Sequence, residues 1–466
     1  MPAYLSHRFL FLTLMFWGCL FDGHEHPLWA GNLEIVTFNE NITPKLGMPV
    51  AYAPARKILT PLYARGVVIL SDEKPVVLCA VDAIGIGNQG YDTWREKLAE
   101  AAATTPDRVA VHSLHQHDAP RIDFATGKIM EDQGLGGKNY DNSYGRQCIT
   151  QVANAIRSGL KNPQTVTHLG IGKAKVEQVA SNRRLLGADG KVRLMRWSKS
   201  KSPDAINAPE GVIDPWLKCL CFWNQDHPIA VLNYYATHPQ SYYGKGDVNY
   251  EFTGMAREAR NEALPGTLNI YFNGAAGNIA AGKYNDGSTK MRPLLAQRVE
   301  RGMESAFKSQ KKTPISSADL HWKTEMTALP VATHLDPESL KATIIDQKRT
   351  PKERSTAAFR LVWYQRASQG HQIPITCLRL KSASILHLPG ELFIEYQLQA
   401  QKFAPKQTVC LAAYGDYGPG YICTEIAYSQ GGYESSPRAS QVAPHVESVL
   451  TEVIRRLVMP EENSKK

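Results

Sequence analysis

Four short stretches of this sequence carry side chains suited to binding a metal or moving a proton. His115-Gln-His117 sets two imidazoles two residues apart, and on extended backbone both rings face one side. His238 stands alone between Thr237 and Pro239. Pro389-Gly390-Glu391 places a carboxylate just after a turn-forming pair. The fourth stretch, Gly415 to Glu434, holds four tyrosines and five glycines, including Tyr421 and Tyr433. Glycine frees the backbone to bend, and tyrosine offers a ring and a hydroxyl, so such a loop is suited to building a site. Two imidazoles and a carboxylate form a zinc ligand set that accepts a further oxygen. Read singly, each has a plainer explanation: a chance pair, a hydrogen-bonded core histidine, an acid near a helix start.

The elements that must position these groups are apolar runs of strand length. Val109 to His115 leads into the histidine pair, and Pro228 to Tyr235 leads into His238. Leu268 to Phe272 enters a Gly/Asn turn at 273–278. Ile385 to Leu388 leads into Glu391, and Val409 to Tyr414 leads into the glycine–tyrosine loop. Helices are expected over 93–103, 141–158, 251–263, 292–309, 393–403 and 446–459, with one or two charged helices within 336–370. Strand and helix alternate, and neither a repeat nor a strong linker interrupts them. The expected fold is a single large α/β domain with mixed β-sheets flanked by helices, and a site at the strand C-terminal ends.

At 466 residues, 43% hydrophobic and 21% charged, the composition is that of a soluble globular protein. The net charge of +9 is scattered and forms no basic stripe, which argues against nucleic acid as a partner. Residues 1–30 read as a signal peptide, with Arg8 before an apolar core from Phe9 to Phe21 that is too short to span a bilayer. The expectation is an exported protein, periplasmic, secreted or at the cell surface, with no transmembrane segment after signal removal. Residues 31–460 form the expected catalytic domain and 461–466 a polar tail. Seven cysteines follow Cys19, none in a CxxC pair, and most read as small buried hydrophobes.

Taken together and in order, the motifs resemble the neutral (non-lysosomal, neutral/alkaline) ceramidase family, in its N-terminal catalytic domain. The resemblance rests on His115-Gln-His117-Asp-Ala-Pro120, Thr237-His238-Pro239, Leu388-Pro-Gly-Glu391, Tyr421-Ile-Cys-Thr424 and Tyr433-Glu434, and on Asn41-Ile-Thr-Pro-Lys-Leu-Gly47 near the start. It implies a Zn2+ ion held by His115, His238, Glu391 and Tyr421. It implies His117 as general acid or base, with Tyr433 and Arg183 at the developing oxyanion. The implied activity is hydrolysis of an N-acyl amide, a ceramide-like lipid or another small molecule, with room for peripheral membrane contact. Three positions depart from the family pattern. Gly277-Asn278-Ile-Ala280 has asparagine where the family has an acid and alanine where it has a serine, and Asp118 replaces a serine after the histidine pair. The second reading is therefore a catalytically impaired zinc-binding relative that acts as a binding or scaffold protein.

Overall fold

The computed structural model describes residues 31–459, so the expected signal peptide and polar tail lie outside the described residues. Three sheets make the frame. In the first, the order is Val109–Ser113, Val76–Val81, Tyr63–Leu70, Leu33–Asn41 and Gln164–Val166. The second runs Leu268–Asn273, His227–Tyr235, Trp216–Asn224, His168–Lys175 and Lys311–Pro314. The third runs Leu320–Ala328, Gln372–Leu380, Ala383–His387 and Thr408–Ala412. Each sheet is antiparallel except for one parallel pair at an edge: 76–81 with 109–113, 227–235 with 268–273, and 383–387 with 408–412. Mixed sheets flanked by helices are the expected α/β class.

The three parallel pairs meet at their C-terminal ends. The Asn273 amide donates to His112 Nε2, the Ser113 amide to the Tyr414 carbonyl, and the Ala413 amide to the Asn273 carbonyl. These bonds bring the chain segments beyond each strand to one place. The strands that lead there are continuous apolar runs because both faces are covered: every residue of Val76–Val81, Val109–Ser113 and Ala383–His387 is buried. The main hydrophobic core extends from Leu33 to Val458, and a small second cluster gathers Met130, Ile344, Ala357, Ala358 and Leu361.

The helices obey their local signals. Asp141 caps Asn142–Gly159 by accepting from the Tyr144 amide. Thr350 and Glu353 form a reciprocal capping box on Pro351–Ser368, with proline at its first position. The charged region 336–370 resolves into two helices, Pro337–Ile345 and Pro351–Ser368. Four strands of the three large sheets escape the sequence reading: 216–224, 311–314, 320–328 and 372–380. In 320–328 the reason is physical, since Lys323 and Glu325 interrupt the apolar pattern and polar and apolar residues do not alternate cleanly. The stretch 198–211, read as a loop, holds the short helix Pro203–Asn207. The seven described cysteines are buried and free, so no disulfide forms among them. Asp82 closes a strand by accepting from both terminal nitrogens of Arg257, at 3.0 and 2.9 Å.

Candidate metal and catalytic centre

His115, His117 and His238 are buried, and their nearest ring nitrogens lie within 4.8 Å of one another. His115 comes two residues after Ser113, and His238 three residues after Tyr235. Glu391 comes after His387 through the Leu388-Pro-Gly390 turn. The paired imidazoles do not converge by strand alternation. The strand ends at Ser113, and His115 sits in the left-handed region with φ +68°, which swings its ring toward His117. Backbone strain of this kind gathers at functional sites. The His115 ring stacks on Tyr414, with centroids 4.7 Å apart.

Glu391 and Tyr421 are brought together by a two-residue parallel ladder, Glu391–Leu392 with Tyr421–Ile422. A glycine with φ +63° precedes each of them, Gly390 and Gly420. A Cβ on Gly390 would stand 2.7 Å from the Gly420 carbonyl oxygen, so glycine is required there on two counts.

The donor atoms explain what the cluster wants. His115 Nδ1 lies 2.6 Å from the Ile84 carbonyl oxygen. His238 Nδ1 lies 2.5 and 3.0 Å from the Ala276 and Ile279 carbonyls. A carbonyl only accepts, so in both rings the proton sits on Nδ1 and the Nε2 lone pair faces inward. Glu391 Oε2 then stands 3.2 Å from His115 Nε2 and 3.0 Å from His238 Nε2. Three lone-pair atoms facing one another in a buried space repel unless a cation lies between them. Tyr421 Oη lies 3.5 Å from His238 Nε2 and accepts from Arg183 Nη1 at 3.1 Å. Four ligands at about 2.0–2.1 Å from a tetrahedral zinc stand about 3.3 Å apart, and these separations cluster around that edge. Carbonyls that orient the ligand imidazoles are the usual outer support of such a site. The residues present therefore fit a metal ion.

Tyr417 Oη donates to the other Glu391 oxygen, Oε1, at 2.6 Å. Burial, then the neighbouring His115 and His238, push His117 well below its ordinary value, so it is neutral. Burial also drives His238 down.

His117 differs from the other two histidines. Its Nε2 is 3.1 Å from His115 Nε2, close enough to be a third nitrogen ligand. Neither of its nitrogens meets a backbone carbonyl, however. Nε2 is 2.5 Å from the Gln240 amide nitrogen, and Nδ1 is 2.8 Å from Tyr52 Oη. Those polar contacts suit a group that exchanges protons better than one fixed on an ion.

Above the cluster opens a cavity of about 230 Å³, lined by His115, His117, Glu391, Tyr421 and Tyr433 among others. The Tyr433 ring is half-buried and packs edge-on against Tyr421 and Trp197. Its hydroxyl makes no hydrogen bond among the described residues. Arg183, expected at the oxyanion, does not line the cavity. It lies behind Tyr421, donating to Tyr421 Oη and the Gly277 carbonyl, with Nε 3.4 Å from Glu434 Oε1. Ala280 is fully buried, pairs with Ser181 across a short ladder, and does not line the cavity. Asp118 accepts from the Gly244 amide and the Asn249 side chain, anchoring a loop instead of facing the site. Sequence reasoning missed Tyr52, Gln240 and Arg121. Only Tyr417, within the glycine–tyrosine loop, carried a signal.

No family model matches the chain, and no curated protein sequence does. Solved structures do share its fold. A neutral ceramidase from Pseudomonas aeruginosa superposes with a TM-score of 0.68 at 16% identity, covering 92% of this chain and 75% of that one. A structure described as ceramidase complexed with C2 superposes with a TM-score of 0.67 at 16% identity, covering 93% and 77%. At that identity the likeness is one of fold.

Proposed function

We propose that this chain is a zinc-dependent hydrolase of the neutral ceramidase type, cleaving an N-acyl amide with water. The observation that carries the reading is the inward convergence of His115 Nε2, His238 Nε2 and Glu391 Oε2, with both ring Nδ1 atoms committed to carbonyls. His115, His238, Glu391 and Tyr421 are the ligands in this reading. The chemistry that such an ion supplies is Lewis acidity, which polarises the amide carbonyl and acidifies water.

His117, held neutral and facing the cavity, takes a proton from the attacking water and returns it to the amide nitrogen as the C–N bond breaks. The products are a carboxylic acid and an amine. Tyr433 turns its free hydroxyl toward the position where negative charge develops on the carbonyl oxygen. Arg183 acts through Tyr421, holding the phenol oxygen in place. Export and a place in sphingolipid metabolism belong to the same reading, supported by the leader-like start and the shared fold. Among the described residues no helix is long and apolar enough to cross a membrane.

The impaired-relative reading rests on Ala280 and Asn278. Both are buried and off the cavity, which weakens it, because no cavity-lining group is lost there. The test is hydrolysis of a panel of N-acyl amides by zinc-reconstituted protein, with and without a chelator. Chelator-sensitive release of fatty acid supports the proposal, and a Tyr433→Phe variant should slow it while keeping the metal. No hydrolysis of any amide would contradict it.

A further inference from the structure

The cavity over the metal centre is unevenly charged. Among the described residues its only acid is Glu391, whose Oε2 faces the His115 and His238 rings and whose Oε1 accepts from Tyr417. Four cations line it: Arg121, Lys352, Arg360 and Arg438. None of the four forms an ion pair among the described residues. Elsewhere Arg257 pairs with Asp82, Arg292 with Glu251, and Arg183 and Arg184 with Glu434, while the buried Arg196 donates to backbone carbonyls instead.

Arg121 has no ion pair among the described residues, and it shares the cavity lining with Tyr52, Tyr140 and Tyr417. Lys352 Nζ lies 5.7 Å from the Tyr52 ring centre, and the Arg438 guanidinium 5.9 Å from the Tyr433 ring centre. Arg360 donates to the Arg438 carbonyl at 2.7 Å. Burial first, and then the like charge of Arg438, depress the Arg360 guanidinium. The placement is built into the helix Pro351–Ser368. Lys352, Ser355, Thr356, Phe359 and Arg360 fall at helical spacing on one face, and that face is the cavity wall. The cavity continues into a second groove that shares Lys352, Thr356, Arg360 and Arg438.

Four unpaired cations around one opening, Lys352 and Arg438 exposed and Arg121 and Arg360 partly buried, make its field positive, and a metal ion would add to it. An anion that enters is drawn by that field and accepts charge-assisted hydrogen bonds. We propose that the substrate is acidic: an N-acyl amide whose polar half bears a carboxylate or sulfonate, held by Arg121, Lys352, Arg360 and Arg438. The amide part of this statement rests on the hydrolase reading, and the charge part does not.

The experiment is equilibrium binding of three ligands with one acyl chain: N-lauroylglycine, N-lauroyltaurine and the uncharged N-lauroylethanolamine. Hydrolysis of each is measured separately. The expected result is binding of the acidic ligands about tenfold tighter than the ethanolamide at low salt, equivalent to about 1.4 kcal/mol. That preference should shrink as salt rises. It should fall to about threefold or less in the double variant Lys352→Met/Arg438→Met, and in Arg121→Met as an independent check. The glycine and taurine arms separate a carboxylate from a sulfonate site. Ethanolamide binding as tight as that of the acidic ligands overturns the inference, whether or not any ligand is hydrolysed. A charge preference without hydrolysis of any amide keeps the inference and removes the hydrolase reading.

Discussion

Glu391 and Tyr421 are register partners in a ladder only two residues long, and the glycine before each has a left-handed backbone. Side chains directly paired in parallel strands share a face, so this small ladder puts a carboxylate and a phenol on the same side, toward His238. The ladder depends on Gly390. Gly390→Ala adds strain at φ +63° and a contact with the Gly420 carbonyl. The expected outcome is a loss of about 1–3 kcal/mol in stability and weaker metal retention, read by thermal unfolding and by competition with a chelator. Unchanged metal affinity would mean that the ladder does not set the site.

His117 is assigned to proton transfer, not to the ion. His117→Gln should leave metal content at the wild-type level and lower kcat by about 10²–10⁴-fold. Elemental analysis beside turnover separates the alternatives. Loss of the metal in this variant would make His117 a third nitrogen ligand, as its 3.1 Å approach to His115 allows.

Ala280→Ser restores the hydroxyl that the ceramidase pattern carries at this position. Ala280 is fully buried beside Ser181 and off the cavity. The substitution should therefore give no gain in activity and a stability cost of about 1 kcal/mol or more, measured by turnover and denaturant unfolding. A large gain in turnover would restore the idea of a serine-assisted mechanism.

Asp416 gives a pH signature of folding. Its carboxyl is buried, and burial pushes it up to about 7. Oδ1 accepts from the Asn88 and Gly418 amides, and Oδ2 has no partner among the described residues. A raised acid binds its proton more tightly when folded, so its contribution is complete below its unfolded value of about 3.9. It is lost as pH rises through about 7. Stability should fall by a few kcal/mol between about pH 4 and 8 from this group. Asp416→Asn, which mimics the protonated form, should flatten that slope in denaturant titrations. An unchanged slope would place the charge elsewhere.

The frame and the candidate ligand positions were legible because an apolar run and the polar residues just beyond it are local features. The runs ending at His115, His238 and Glu391 read as strands, and the chain beyond them meets at one place. Orientation was not legible. The HxH pair suggests strand alternation, but the strand stops at Ser113 and the left-handed turn at His115 does the aiming. Arg183 looks like an oxyanion group because it stands in a recognisable motif, yet which neighbour it bonds is decided by the packing of Tyr421 and Glu434. From sequence, Pro351–Ser368 reads only as part of a charged helical region. Only the tertiary arrangement turns Lys352 and Arg360 toward a cavity.

The most direct test of the central claim is metal content, measured by elemental analysis on zinc-reconstituted wild type and on His238→Ala. His238 contributes a buried Nε2 facing Glu391 and lies off the proton-transfer path. The account predicts about one zinc per chain in the wild type and its loss in the variant. A wild type that holds no zinc after reconstitution, or a variant that keeps it, would contradict the account.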